Sequence, residues 1–155
     1  MRIRVPGFLA AMTTLLDTSA VIGLIERRDP AVLELVRQLE GPSVRSMFVY
    51  GELLHGLAQR GPGIAERRRT VEHYEKITDS FAAALDPGLL ASRYAEVSAS
   101  ASNGLIRLGQ NDRWIIAEAS LIGIDVFVTQ DSTQSRLAAM WFDEAGLEIS
   151  VRPFP

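Results

Sequence analysis

Cysteine does not occur among the 155 residues, which excludes a disulfide scaffold, a thiolate zinc site, an iron–sulfur cluster and a cysteine nucleophile. Histidine occurs twice, at His55 and His73, too few for a three-histidine metal site. Lysine occurs once, at Lys76 in the run HYEKIT, and arginine supplies the other basic side chains. A Walker-type phosphate loop needs a lysine after its glycines, and no such loop surrounds Lys76. A Schiff-base lysine would also have to be Lys76, with no sign of an apolar pocket around it. No window reaches the ~18 continuous apolar residues of a membrane span. An excess of positive charge is missing too. The 16 basic and 19 acidic residues leave a net charge of −3, so a nucleic acid or other phosphate substrate needs a local electrostatic device.

What is present is an ordinary globular mixture, 47% apolar and 23% charged, which argues against disorder. Domains run to about 100–200 residues, so the chain makes one domain, large enough to hold its own core. The opening MRIRVPGFLAAM superficially resembles a signal peptide. Pro6 and Gly7 interrupt its apolar run, no clear small-residue cleavage pattern follows, and the apolar stretch leads directly into Asp17. We read residues 1–11 as an extension and residues 12–155 as the domain, working in the cytoplasm and not in a membrane.

The chain carries no fixed-period repeat and no linker-like shift in composition. Thr13 to Leu16 is a short apolar run ending at Asp17, followed by a helix in TSAVIGLIERRD. Pro30 opens a second helix whose stripe is Val32, Leu35, Val36 and Leu39, closed by Gly41-Pro42. SVRSMFV, residues 43–49, reads as a strand. From about Tyr50 a helix carries Tyr50, Leu53, Leu54 and Leu57 on its apolar face, and Gly61-Pro62-Gly63 breaks it. Residues 64–80 read as a charged helix, and Pro87 opens another to about Ser102. NDRWIIAEASLIG is apolar on nearly every side and reads as a buried helix. IDVFVT is a strand, DSTQSRLAAMW a capped helix and LEISV a last strand. Alternating strands and helices, with continuously apolar strands, predict a three-layer α/β fold around a parallel sheet.

Acidic residues stand where the apolar runs stop. Asp17 ends the first strand, Asp131 follows VFVT, and Asp112 stands at the start of the buried helix. In open α/β sheets, ligands bind beyond the carboxyl ends of the strands, so these carboxylates are expected to meet at one edge. Glu52, on the polar face of its helix beside His55, Gly56 and Gln59, reaches the same edge. Singly, each Asp is explained as a helix N-cap and Glu52 as a solvated side chain. Together, with no competing chemistry in the chain, they form a candidate site.

In chain order, LLDTSAVIGLI, SMFVYGELLHGL, NDRWIIAEA and FVTQDS resemble the four acidic motifs of PIN-domain nucleases, especially the VapC-type toxins of toxin–antitoxin pairs. The resemblance runs from about Met12 to the carboxyl terminus. It implies that Asp17, Glu52, Asp112 and Asp131 are the catalytic and metal-binding acids, with Thr18, Ser19, Ser46, Asn111 and Thr129 as polar neighbours. It also implies an antitoxin partner covering the active-site groove, and a homodimer. Two departures stand out. Val49 occupies the position three before the glutamate, where relatives often carry Ser or Thr, and GLIRLGQND is less basic than many counterparts.

Two carboxylates ~4 Å apart at an effective dielectric of ~20 repel by about 4 kcal/mol, so four converging ones bind protons or cations. Oxygen ligands without His or Cys suit Mg²⁺, with Mn²⁺ as a substitute. The expected chemistry is hydrolysis of RNA phosphodiesters by a metal-activated water, the cation supplying the local positive potential that the chain lacks. Arg113, and the run Arg67 to Arg69, are candidates to add to it. Other readings fit less well. Glu52-x-x-His55 is half of a di-iron bundle motif, without its second half. A haloacid-dehalogenase-like phosphatase expects a second Asp two residues after the first, where Ser19 stands. A phosphoacceptor domain expects a lysine near the site, and a non-catalytic PIN-like RNA-binding module usually loses acids.

Overall fold

The computed structural model describes residues 12–39, 41, 43–59, 61–79 and 85–153, so the extension at 1–11 lies outside the described residues. The chain opens with strand β1 (Thr14–Leu16), three fully buried residues, and Asp17 then caps helix α1 (Thr18–Ile25). Helix α2 (Pro30–Leu39) starts at the helix-compatible Pro30 and buries only Val32 of its predicted stripe outright. Strand β2 (Ser43–Val44) leads to helix α3 (Met47–Ala58), and helix α4 (Ile64–Ile77) runs directly into strand β3 (Thr78–Asp79). Helices α5 (Pro87–Asn103) and α6 (Gln110–Ile122) follow, then strand β4 (Val126–Thr129), helix α7 (Ser132–Glu144) and strand β5 (Ser150–Pro153). No described helix is long and apolar enough to cross a membrane.

All five strands are parallel, in the order β3-β2-β1-β4-β5. β1 and β4 are the central pair, with Leu15 opposite Phe127 and Leu16 opposite Val128. Parallel pairing requires crossovers, and these supply the helices that flank the sheet. Helices α1 to α4 pack among themselves, α5 to α7 do likewise, and α3 meets α6. The core lies between these helices and the sheet, on Leu15, Leu16, Ile115, Ile116, Phe127 and Leu137, all essentially inaccessible. Each such side chain stabilises the fold by about 1.5–3 kcal/mol through burial. The parallel α/β expectation holds.

The predicted strand at 43–49 is corrected. It stops at Val44, and Met47 already begins α3, so Glu52 sits in the second helical turn. Local β propensity in Met47, Phe48 and Val49 is overridden by tertiary capping. The Ser46 hydroxyl accepts from the Val49 amide at 3.1 Å, and the Ser46 amide donates to the Tyr74 hydroxyl at 3.0 Å. The buried Glu118 carboxylate accepts from Ser46 Oγ at 2.6 Å and from the Met47 amide at 2.9 Å, placing negative charge at the positive end of α3. The buried face of α3 is therefore Val49 and Leu53, while Leu54 of the predicted face is exposed. β3 was not expected, because two residues at a sheet edge leave no periodicity to read.

Candidate active site

From β1 the chain crosses to β2 on one side, and from β4 to β5 on the other. The carboxyl ends of β1 and β4 are thus the switch point where a crevice opens in sheets of this type. Asp17 leaves β1 there, its amide donating to the Val128 carbonyl at 3.0 Å, so the ladder itself fixes its position. Its side chain is 2% exposed. One oxygen, Oδ1, accepts from Ser19 Oγ and the Ala20 amide, both at 2.8 Å, and Oδ2 accepts from Thr129 Oγ1 at 2.5 Å. Burial pushes this carboxyl up to about 6; these hydrogen bonds pull it down, and the charge of Asp112 adds to the rise.

Thr129, the last residue of β4, is fully buried and ties the two edges together. Its hydroxyl donates to Asp17 and accepts from the Asp131 amide at 3.0 Å. Asp131 is exposed and caps α7, its Oδ1 accepting from the Thr133 and Gln134 amides at 2.8 and 2.9 Å. Ser19 closes the ring by accepting from the Gln130 amide at 2.9 Å. Glu52 is half-buried on α3, and the Thr18 hydroxyl at the start of α1 donates to its Oε2.

Asp112 differs from the others. It does not cap its helix, as its sequence position suggested; Gly109 is the N-cap, and Asp112 is the third residue of α6. Its carboxylate is half-buried and makes no hydrogen bond among the described residues. Burial, then the charges of Glu52 and Asp131, push it up to about 6. Asp112 is also the charge felt by Asp17, so all four acids lie in one electrostatic neighbourhood.

The supporting residues divide. Thr18, Ser19 and Thr129 contact the acids directly. Asn111 lines a groove beside Glu52, and its Nδ2 is buried without a partner among the described residues. Ser46 does not join the acids but holds the start of α3 against Glu118. Arg113 turns to α5, with Nη1 donating to Ser98 Oγ at 3.1 Å and the guanidinium 5.3 Å from the centre of the Tyr94 ring. Arg67 donates to the Gly56 and Gln59 carbonyls at the end of α3, at 3.1 and 3.0 Å, and Arg68 and Arg69 are exposed. His55 is exposed and hydrogen-bonds Gln59 at 3.0 Å. Sequence reasoning missed Gln134, buried beside Thr129, and Glu118. The signal for Glu118 was its charge inside an otherwise apolar helix, where it must find partners.

The donor set is entirely oxygen, suited to a hard divalent ion. Among the described residues, no three acidic or histidine side chains already form a closed cage. Unneutralised carboxylates repel, and here Glu52 is turned onto Thr18 and Asp131 onto the amides of α7. Asp112, without a donor among the described residues and raised by burial and then by its neighbours' charges, is the group whose environment a cation satisfies best. The residues therefore fit a divalent ion in chemical type, while as placed they form no ready site, Glu52 and Asp131 being turned onto donors of the protein.

A parallel α/β fold with acids from four chain segments gathered at its switch point defines a class of acidic-site α/β domains. Within that class the PIN domain family model matches residues 14–140, and the chain belongs to the PIN domain family. No match was found among curated proteins. Similar solved structures include VapBC2 from Rickettsia felis bound to a DNA fragment from their promoter, at 14% identity and TM-score 0.68, covering 93% of this chain and 100% of that one. VapBC-1 from nontypeable Haemophilus influenzae is 19% identical with TM-score 0.67, covering 92% and 98%. VapBC-5 from Mycobacterium tuberculosis, of the VapBC family of toxin–antitoxin systems, is 20% identical with TM-score 0.57, covering 92% and 98%. These likenesses establish the fold.

Proposed function

We propose that this protein is a Mg²⁺-dependent endoribonuclease, the toxin of a type II toxin–antitoxin pair, with Asp17, Glu52, Asp112 and Asp131 as its metal-binding and catalytic acids. The observation that carries the reading is Asp112: a half-buried carboxylate with no hydrogen bond among the described residues, raised by burial and then by the charges of Glu52 and Asp131. Capping accounts for Asp17 and Asp131 in structural terms, whereas Asp112 accepts no hydrogen bond among the described residues and serves the fold as an acid in the first turn of α6. Membership of the PIN domain family, and the toxin–antitoxin systems among the structures of similar fold, support the same reading.

Asp17, Glu52, Asp112 and Asp131 would hold the divalent ion, which would supply charge neutralisation at the phosphoryl oxygens and a more acidic water. The chain's own contribution is placement. Ser19, Ala20 and Thr129 hold both oxygens of Asp17 in fixed directions. Thr18 orients Glu52, and the α7 amide ends hold one oxygen of Asp131. No side-chain nucleophile is required, consistent with the absence of cysteine and of a placed lysine. The protein acts in the cytoplasm as a homodimer neutralised by a cognate antitoxin.

The test is incubation with mixed structured RNAs. Cleavage should require Mg²⁺ or Mn²⁺ and fall at least a thousandfold in Asp112→Asn with folding intact. Turnover of small phosphomonoesters alone contradicts the nuclease reading in favour of a phosphatase.

A further inference from the structure

A groove of about 530 Å³ runs beside the acids, between Thr18, Asn111 and one face of α3. That face carries Phe48 and Glu52 one helical turn apart, with Gly51 and His55 alongside. Behind Phe48, rings from three helices are stacked. Phe48 lies 5.5 Å from Trp114 with their planes 13° apart, and Trp114 lies 3.9 Å from Tyr94 at 18°. The Arg113 guanidinium also lies over the Tyr94 ring, 5.3 Å from its centre. At the near end Phe48, partly buried, lines the groove. Packing does not demand the groove: a Cβ at Gly51 would meet nothing within 4 Å, and a glycine inside a helix lowers its stability.

We propose that Phe48 is the stacking platform for the base of an unpaired nucleotide adjoining the phosphate held at the acids. The inference rests on the ribonuclease reading above and names the substrate feature that reading leaves open. A flat aromatic surface braced by two further rings suits a nucleobase of any sequence, since every base has a π-face. Unpaired bases are the ones able to splay out onto such a surface, so the substrate is a loop or single strand. The groove reaches the acids through Glu52, which stands one helical turn from Phe48 on the same lining face and accepts from Thr18.

The test uses a labelled six-nucleotide single-stranded RNA, titrated by fluorescence anisotropy with Ca²⁺ in place of Mg²⁺, beside six counterparts each carrying one abasic nucleotide. Wild type should bind the intact RNA about five- to a hundredfold more tightly than its weakest abasic counterpart, the size of one base–aromatic stack. Phe48→Leu should bind the intact RNA no better than that counterpart, and Phe48→Tyr should restore the difference. Indifference of wild-type affinity to every missing base overturns the proposal, as does an unchanged Phe48→Leu. A groove that seats a protein segment instead gives that indifferent result. Should Phe48→Leu fail to fold, the abasic series on wild type decides alone. Mg²⁺-dependent cleavage of the same RNA separates the two readings. Cleavage with base-indifferent binding keeps the nuclease and removes the platform, and base-dependent binding without cleavage does the reverse.

Discussion

At the scale of single residues, the acids fall into two kinds. Asp17 is embedded in donors, whereas Asp112 is confined by burial and like charge with nothing to accept from. Both carboxyls are raised to about 6 from an ordinary value of 3.8. A raised acid holds its proton more tightly folded than unfolded, so its contribution to stability is lost as pH climbs from about 4 past 6. For the deeply buried Asp17 the loss is on the order of 3 kcal/mol at neutral pH. In EDTA, the melting temperature should therefore decline between pH 5 and pH 7.5. Asp112→Asn should melt higher than wild type at pH 7.5, with the difference narrowing as pH falls through 6 and vanishing near pH 4, although it abolishes cleavage. A variant less stable than wild type at pH 7.5 would mean that the place of Asp112 in the first turn of α6 outweighs its burial and like charge. Thr129→Val tests the opposite kind of residue. It leaves Asp17 Oδ2 and the Asp131 amide unpaired, and should cost about 1–3 kcal/mol in chemical denaturation.

At the scale of elements, α3 shows where the sequence was legible and where it was not. The amphipathic pattern placed a helix around Glu52, and the helix is there. Its start was misread by three residues because Met47, Phe48 and Val49 look like strand, and they are overruled by the Ser46 cap together with Glu118, which holds Ser46 and Met47 from about seventy positions away. No local pattern reports such a partner. The acids ending β1 and β4 were readable for the opposite reason: strand ends and caps are local, and Asp marks them. Val49, where relatives often carry a hydroxyl, loses its significance, since Ser46 performs the capping. Glu118→Ala removes the acceptor shared by Ser46 and the Met47 amide. It should cost about 2–4 kcal/mol in equilibrium unfolding, and reduce cleavage by shifting α3 and Glu52. Glu118→Gln should recover part of the stability. Loss of activity without loss of stability would instead place Glu118 in the chemistry.

At the scale of the whole molecule, topology does the gathering. Asp17, Glu52, Asp112 and Asp131 come from four separate segments, and only the order β3-β2-β1-β4-β5 brings their elements to one edge. The alternation of strand and helix predicted the parallel sheet, and the continuously apolar runs predicted its burial. Side-chain orientation was beyond that reading, which is why Arg113 and Ser46, beside the acids in sequence or motif, turn out to engage α5 and Glu118. A chain of net charge −3 that gathers acids at its switch point gains nothing electrostatically unless a cation joins them. The most direct measurement is anomalous diffraction from crystals soaked in Mn²⁺. A peak within about 2.0–2.3 Å of carboxylate oxygens of Asp17 and Asp112, with Glu52 or Asp131 turned toward it, is the predicted result. A crystal saturated with Mn²⁺ that shows density only away from these four acids contradicts it.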